Sequence, residues 1–248
     1  MNPVCRIRWG RSIGAVTKPI ADENVRAERL LDAQDKAAQL FDEIERREII
    51  RPGVGEQQLS DEIRDLAARL LGVKGYWHRR IVRAGENTLQ PFREHPPDRL
   101  IAEGDIVFLD LGPIFKEWEA DFGRTFVLGD DPDKLAVRDA LPRVWQAGRD
   151  YFESHPDVTG AELYDHVVGL AHAEGFEFGN RLAGHLLGEF PHKKIAGTDV
   201  EWYIMPGSDK PMRRKDPEGR VCHWILEIHL TNPARRIGGF YEQLLDLR

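Results

Sequence analysis

The apolar positions in the first third of the chain recur at helical spacing. The first apolar stripe runs from Asp22 to Glu48 and ends at the turn sequence RPGVG. Its apolar positions are Val25, Leu31, Phe41 and Ile44. A second stripe ends at the glycines at positions 72 and 75 and consists of Leu59, Ile63, Leu66 and Leu70. Both segments predict amphipathic helices whose apolar faces belong to the core.

Strand-like runs begin after residue 101. The sequences DIVFLDLG and RTFVLG are rich in β-branched and aromatic residues, and HWILEIHL and FYEQLLDL predict two more strands near the end of the chain. Helical patterns lie between them, over Asp133 to Glu153 and Ala161 to Glu174. The interleaved pattern predicts one compact α+β domain over residues 21–248, after an N-terminal extension over residues 1–20.

Composition narrows the class of protein further. The 248 residues are 41% hydrophobic and 31% charged, which is typical of a globular enzyme. No apolar run approaches the ~20 residues that span a bilayer, and no apolar core follows the arginines near the N-terminus. Cys5 and Cys222 are too few and too far apart for a disulfide framework, so we expect two free thiols. These features predict a cytoplasmic protein without a membrane partner.

The charge pattern argues against a nucleic-acid partner. The net charge is −7, whereas phosphate binding normally needs a basic face. One basic cluster contains Lys210, Arg213, Arg214 and Lys215. We interpret it as a solvated loop. The polar segment 207–220 around it is either a loop that shapes access to a site or a dimer contact, or a surface excursion.

Two aspartates are the first candidates for chemistry. Asp110 closes the apolar run Ile106 to Leu109, and a charge buried there needs compensation. Asp121 follows at a distance that suits a hairpin, which would return it beside Asp110. Adjacent carboxylates repel unless a cation or a proton lies between them. The alternative is a pair of solvent-facing turn aspartates.

Further candidates lie in the second half of the chain. The segment GHLLGEFPH provides His185 and His192, and imidazole binds zinc, manganese, cobalt or iron. Glu227 and Glu242 each lie within an apolar strand-like run, where a buried carboxylate needs a partner. Four carboxylates and one imidazole suit hard or borderline divalent ions better than a metal that prefers thiolates.

The order of these motifs resembles a known family. The sequences GDIVFLDLG, ADFGRTFVLGDDP and GHLLGEFPH, then strands with Glu227 and Glu242, resemble the M24 metallopeptidases of the pita-bread fold. That family includes methionine aminopeptidase, Xaa-Pro aminopeptidase and prolidase. RPGVG also matches the family's turn between its first two helices. The resemblance implies the creatinase/aminopeptidase fold, a curved antiparallel sheet flanked by helices.

The resemblance also implies a site with two divalent ions, which could be manganese, cobalt, iron or zinc. Asp110 would bind one ion through both oxygens, Asp121 and Glu242 would bridge the two ions, and His185 and Glu227 would complete the shell of the other. The ions would lower the pKa of a bridging water, and the resulting hydroxide would attack an amide carbonyl while Glu227 carries the proton. His192 matches the family's second histidine, which contacts the substrate carbonyl or the tetrahedral intermediate.

This chain departs from the family pattern at two substrate-binding positions. In GENTLQPFREHPPDR, Phe92 aligns with a family histidine that contacts the substrate amide nitrogen, and His95 lies nearby. Either the loop shifts so that His95 takes this catalytic role, or the protein works without it on an altered substrate. The family's GHGxG is GHLLG here, so Leu186 places a side chain near the metals and narrows the pocket.

Three hypotheses of function follow. The leading one is a dinuclear-metal aminopeptidase or dipeptidase of Xaa-Pro or related type, acting on short peptides. The second keeps the metal site but replaces the peptide with a small non-peptide amide or other C–N substrate, because of Phe92 and Leu186. The third is a pita-bread binding module without catalysis. The resemblance is compatible with a homodimer, although no self-complementary apolar stripe in the sequence requires one.

Overall fold

The computed structural model describes residues 22–189 and 200–247, which form four α-helices and nine β-strands. The helices are α1 (Glu23–Arg46), α2 (Glu56–Leu71), α3 (Pro132–Ser154) and α4 (Gly160–Ala173). The strands are β1 (Ile81–Ala84), β2 (Ile106–Leu111), β3 (Ile114–Phe115), β4 (Trp118–Glu119), β5 (Phe122–Val127), β6 (Glu177–Phe178), β7 (Leu186–Leu187), β8 (His223–Asn232) and β9 (Ile237–Leu244). All four predicted helices and all four predicted strands are confirmed.

Local sequence signals set the helix ends. Helix α1 begins after Asp22, whose side chain accepts a hydrogen bond from the Asn24 amide. A capping box between Thr159 and Glu162 begins α4. Helix α2 ends at Gly72 in the left-handed conformation, with φ 67°.

The buried faces of the first two helices differ from the predicted stripes. Val25 and Leu70, both assigned to the core from the sequence, are 43% and 36% exposed. The buried apolar positions of α1 are Leu30, Ala33, Ala37, Leu40, Phe41 and Ile44. These follow the helical period more closely than Val25 does, because alanine also belongs to the face that packs on the sheet.

The main sheet is antiparallel throughout, with the strand order β1-β2-β5-β9-β8-β6 and with β7 added beside β8. The small hairpin β3-β4 connects β2 to β5. This arrangement confirms the predicted hairpin between Asp110 and Asp121. The chain is therefore α+β, as predicted, and the longer strands β2, β5, β9 and β8 lie in the middle of the sheet.

Helices cover the sheet in two groups. One apolar cluster joins α1 and α2 to residues of β1, β2 and β5. A second cluster joins α3 and α4 to β8 and includes Trp145, Trp224 and Leu226. None of the helices in residues 22–189 and 200–247 combines the length and the apolar character that a bilayer-spanning helix needs.

The basic cluster in segment 207–220 is more closely packed than a solvated loop. Met212 is fully buried in the second apolar cluster. The Arg213 guanidinium lies 3.8 Å from the Phe152 ring centroid, and Arg214 lies over Trp202 and Trp224. Arg213 itself is exposed while its guanidinium packs on an aromatic ring, so the sequence interpretation is correct only for part of the cluster.

Candidate metal centre

A row of residues crosses the four central strands at one level. Asp110 on β2 pairs with Gly123 on β5, Gly123 pairs with Glu242 on β9, and Glu242 pairs with Glu227 on β8. Directly paired residues point to the same face of a sheet, and so does the residue two positions away along a strand. Asp121, two positions before Gly123, therefore joins the same face. Strand pairing gathers Asp110, Glu227 and Glu242, and Asp121 lies beside them directly before β5.

A glycine in the centre of the row leaves space for the carboxylates. A Cβ on Gly123 would lie 2.6 Å from the Phe240 ring and 3.2 Å from the Cβ of Glu242. Any larger residue would push against the strand that carries Glu242. Gly123 thus allows β5 and β9 to lie close together where the carboxylates meet.

His185 reaches the row from a segment that runs beside β8. The Ile225 amide donates to the His185 carbonyl at 2.8 Å, and the Glu227 amide donates to the Ala183 carbonyl at 2.9 Å. Gly184 lies between them with φ 138°, and a Cβ there would be 2.0 Å from the Ile225 carbonyl oxygen. Only glycine fits this close approach. The His185 Nε2 lies 3.1 Å from Asp121 Oδ2 and 3.6 Å from Glu227 Oε1.

A second histidine, which the sequence interpretation missed, lies in the same centre. His78 Nε2 is 3.0 Å from Asp121 Oδ1 and 3.5 Å from Asp110 Oδ1, and its side chain is only 8% exposed. His78 precedes β1 in the segment KGYWHRR, which has no apolar periodicity. The one available signal was a histidine between a tryptophan and two arginines just ahead of a buried strand.

Burial changes the ionisation of all four carboxyls. Burial and the neighbouring charge of Asp121 raise the pKa of Asp110 to about 7, against the effect of His78. Burial raises the pKa of Glu227 to about 8, and burial with the charges of Asp121 and Asp110 raises that of Glu242 well above its usual range. For Asp121, burial also opposes ionisation, but His78 and His185 outweigh it and lower its pKa. Without cations, the centre retains protons instead of four negative charges.

The two imidazoles respond in the opposite sense. Burial works against the charged form of both rings. The carboxylates outweigh it: Asp121 and Asp110 raise the pKa of His78, and Asp121 and Glu227 raise that of His185, to about 9 in each case. The carboxyl groups of the centre therefore favour cationic neighbours in a buried environment.

The donor set fits divalent metal ions. Two groups of side chains each bring their ligand atoms within 4.8 Å of one another: His78, Asp110 and Asp121 form one group, and Asp121, His185 and Glu242 form the other. Asp121 belongs to both. The Glu242 Oε2 is buried without a hydrogen-bond partner among the described residues, and a cation is the partner that such a carboxylate oxygen needs. The interpretation of Asp110 and Asp121 as solvent-facing turn residues is wrong, since they are 6% and 3% exposed.

The other predicted site residues lie at the edge of the centre or elsewhere. Phe92 is 42% exposed, and its ring meets His78 edge to face at 5.6 Å. His95 is exposed, and its ring contacts the Arg79 guanidinium. Leu186 lies in β7, half-buried against the second apolar cluster. His192 lies outside the described residues.

Known proteins resemble this chain in both sequence and fold. A putative Xaa-Pro aminopeptidase of Mycoplasma pneumoniae is 29% identical over 119 residues, which are 47% of this chain and 33% of that protein. Among solved structures, a dipeptidase from Pyrococcus horikoshii OT3 aligns with a TM-score of 0.67 at 24% identity, covering 87% of this chain and 55% of that one. An X-Pro aminopeptidase from Thermotoga maritima MSB8 aligns with a TM-score of 0.70 at 18% identity, covering 89% and 58%.

These likenesses confirm the pita-bread fold that the sequence predicted. The chain spans a third of the curated relative and somewhat more than half of the two solved structures. The sequence model of Metallopeptidase family M24 matches residues 28–224, which is most of the chain and includes Asp110, Asp121 and His185. The chain therefore belongs to metallopeptidase family M24.

Proposed function

We propose that this chain hydrolyses peptide bonds with two divalent ions, as an aminopeptidase or dipeptidase of the Xaa-Pro or a related type. One observation carries the proposal: two groups of potential ligands share Asp121, which lies beside the buried row of carboxylates. A carboxylate shared between two groups could bind both members of a pair of neighbouring ions. The family membership supports peptide hydrolysis as the reaction class.

The five residues predicted from the sequence would hold the ions. Asp110, Asp121 and Glu242 would bind one ion, and Asp121, Glu242, His185 and Glu227 would bind the other. When bound, the ions would supply Lewis acidity and lower the pKa of a water molecule to near neutrality. Manganese, cobalt, iron and zinc all accept this set of oxygen and nitrogen ligands, so the donor set leaves the metal open.

The side chains of this centre would also orient and move protons. Glu227 is the residue that we propose to carry a proton from the attacking water to the leaving nitrogen. Its carboxyl is buried and lies 3.6 Å from the His185 Nε2, so a proton held there is shielded from bulk water. His192 remains our candidate for contact with the substrate carbonyl, on the basis of its spacing from His185.

The setting of the protein belongs to the same proposal. We expect a cytoplasmic protein, because only two cysteines are present and Cys222 is a buried free thiol. A short peptide or small amide is the expected substrate. A homodimer is the assembly that the family resemblance suggests.

Mass spectrometry of a defined peptide library tests the proposal. The library contains Xaa-Pro and Met-Xaa peptides and is incubated with manganese-loaded wild type and with the His185→Ala variant. We expect wild type to remove N-terminal residues or split dipeptides, and the variant to lose this activity. Equal cleavage by both proteins would overturn the metal mechanism.

A second candidate function is hydrolysis of a small non-peptide amide or C–N substrate. The observation that favours it is Phe92, an apolar and exposed side chain at the edge of the centre where the family has a histidine. Such a residue offers the substrate an apolar contact in place of a hydrogen bond to the amide nitrogen. Cleavage of several unrelated peptides by wild type would count against this function.

A further inference from the structure

We infer that His78 is a metal ligand of this centre and gives the ion beside Asp110 an imidazole of its own. The inference rests on the proposed function, since it adds a ligand to the proposed ion pair. None of the five residues that the sequence resemblance identifies is His78, and in that set His185 is the sole nitrogen ligand. With His78, each of the two ions would have one imidazole.

The position of the ring is the first support. His78 Nε2 lies 3.0 Å from Asp121 and 3.5 Å from Asp110, so it faces the two carboxylates from outside the sheet. The three ligand atoms lie within 4.8 Å of one another, as do those of Asp121, His185 and Glu242. An ion between Asp110 and Asp121 would therefore have His78 Nε2 as a neighbour.

The other ring nitrogen is held in the way that metal-binding histidines require. His78 Nδ1 donates to the carbonyl oxygen of Arg79 at 2.7 Å, and His185 Nδ1 donates to that of Leu186 at 2.7 Å. In both residues the acceptor is the carbonyl of the next residue. A hydrogen bond from Nδ1 fixes the neutral tautomer in which Nε2 carries the lone pair for a metal. The two histidines are held alike on either side of Asp121.

Backbone and indole contacts fix the segment that carries His78. The Trp77 amide donates to the Gly112 carbonyl at 3.0 Å, and the Trp77 indole donates to the Ala120 carbonyl at 3.0 Å. Gly112 directly follows β2, and Ala120 directly precedes Asp121. The Trp77 ring also meets both His78, at 4.4 Å, and His185, at 5.3 Å. The same strand ends that position Asp110 and Asp121 thus position His78.

The space that the His78 ring occupies depends on the absence of a side chain at Gly112. A Cβ on Gly112 would lie 2.2 Å from His78 Cδ2, 2.3 Å from His78 Nε2 and 2.5 Å from the Trp77 indole nitrogen. Such distances exclude any side chain at this position unless the imidazole moves. Gly112 therefore leaves the space that His78 Nε2 occupies.

Proton NMR of the cobalt-loaded protein counts the imidazole ligands directly. A histidine bound to Co²⁺ shows a strongly shifted, exchangeable N–H proton, and both Nδ1–H groups here are protected by hydrogen bonds. We expect two such resonances in wild type. His78→Gln should remove one and His185→Gln the other. The exposed His172, at the end of α4, provides the control variant His172→Gln, which should retain both. A His78→Gln spectrum that keeps every shifted resonance of wild type would overturn the inference.

Metal titration gives a second readout. We expect His78→Gln to bind one of the two Co²⁺ ions at least ~10-fold less tightly than wild type, because loss of even an outer-shell partner of a ligand typically costs that much. For a His78→Gly variant, added imidazole should restore the wild-type visible spectrum of the cobalt protein. Circular dichroism confirms that each variant is folded. Unchanged affinity in the folded His78→Gln variant would contradict a ligand role.

A third variant tests the space around the His78 ring without removing any ligand. Gly112→Ala should displace the imidazole and weaken cobalt binding in the same direction as His78→Gln. Gly75→Ala is the matched control. Gly75 lies in the segment that carries His78, and a Cβ there would lie at an ordinary 3.7 Å from Ile114. Equal cobalt affinity in Gly112→Ala and Gly75→Ala would count against the inference.

The wild-type measurements separate this inference from the proposed function. If wild type binds no cobalt, both the proposed ion pair and the role of His78 are wrong. If wild type binds two ions but shows one shifted imidazole resonance, which His185→Gln removes, the proposed function stands and His78 is a structural partner of Asp121.

Discussion

The carboxylates and the histidines of the centre are positioned by different parts of the fold. Asp110, Glu227 and Glu242 lie within long paired strands, and their relative places follow from strand register. His78 and His185 lie on segments beside the central strands and are held by loop hydrogen bonds and by Trp77. The sheet thus positions the carboxylates of the centre, whereas the loops determine how many imidazoles reach it.

The largest effect should follow from the carboxylate that both groups of ligands share. We expect Asp121→Asn to lower the rate of peptide hydrolysis by about 10³-fold or more, since loss of metal assistance costs several kcal/mol of transition-state stabilisation. The rate is measured with a cleaved library peptide, and bound manganese by elemental analysis.

The matched control for this prediction is Asp105→Asn. Asp105 is also buried, just before β2, but it bonds to Arg99 and the Ala102 amide, away from the row. The control should retain both its metal and its activity. Comparable losses in the two variants would show that any buried carboxylate near β2 matters equally, and the distinction between the row and its surroundings would fail.

Stability should depend on pH differently with and without metal. The pKa of Glu227 is raised from 4.5 to about 8, and those of His78 and His185 from 6.5 to about 9. The metal-free folded protein thus binds more protons than the unfolded chain between about pH 5 and pH 9, and its free energy of unfolding should fall as the pH rises through this window. For each extra proton that the folded protein holds relative to the unfolded chain, the free energy of unfolding falls by roughly 1.4 kcal/mol per pH unit.

Thermal melting of metal-free and manganese-loaded protein from pH 5 to pH 9 checks this. The lowered pKa of Asp121 affects stability at pH values below its usual 3.8, outside the window. Metal ions replace the protons, so the loaded protein should show a flat or rising melting temperature. Parallel curves for the two forms would mean that the centre does not exchange protons for cations.

A smaller effect should come from filling the centre of the row. We expect Gly123→Ala to lower the free energy of unfolding by about 1–3 kcal/mol, because its Cβ would press on Phe240 and on the strand of Glu242. Urea unfolding measures the change. Gly169→Ala in α4, where a Cβ meets nothing within 4 Å, is the control and should be neutral or stabilising. A Gly123→Ala variant as stable as wild type would mean that the strands do not need this close approach.

The smallest effect should come from the loop histidine. His95 is exposed and contacts Arg79, so we expect His95→Ala to lower kcat/KM less than about tenfold, short of the 10²–10⁴-fold of general acid–base catalysis. Steady-state kinetics with the preferred library peptide decide this. A loss of a hundredfold or more would show that the loop brings His95 to the substrate and that it replaces the histidine missing at Phe92.

The sequence predicted the elements that have strong periodicity and missed those that have none. The four helices and the strands with Asp110, Glu227 and Glu242 follow from apolar spacing. The short strands β3, β4, β6 and β7 have two residues each, too few for a period. β1 has four residues, all buried, and includes the charged Arg83, so it shows no apolar pattern that predicts a strand.

The candidate site shows the same division. The five predicted residues each lie in or beside a segment with a clear sequence pattern, and the structure brings them together. His78 was missed because its place depends on hydrogen bonds from Trp77 to Gly112 and Ala120, which are distant in the sequence. Nothing in KGYWHRR reveals these contacts before the strands are paired.

Titration of metal-free protein with Mn²⁺, with peptide hydrolysis measured on the same samples, tests whether two bound ions carry the reaction. We expect two ions bound per chain, no hydrolysis in their absence, and hydrolysis that rises as the ions bind and disappears on chelation. Undiminished hydrolysis by the metal-free protein, or a folded wild type that binds no divalent ion, would contradict it.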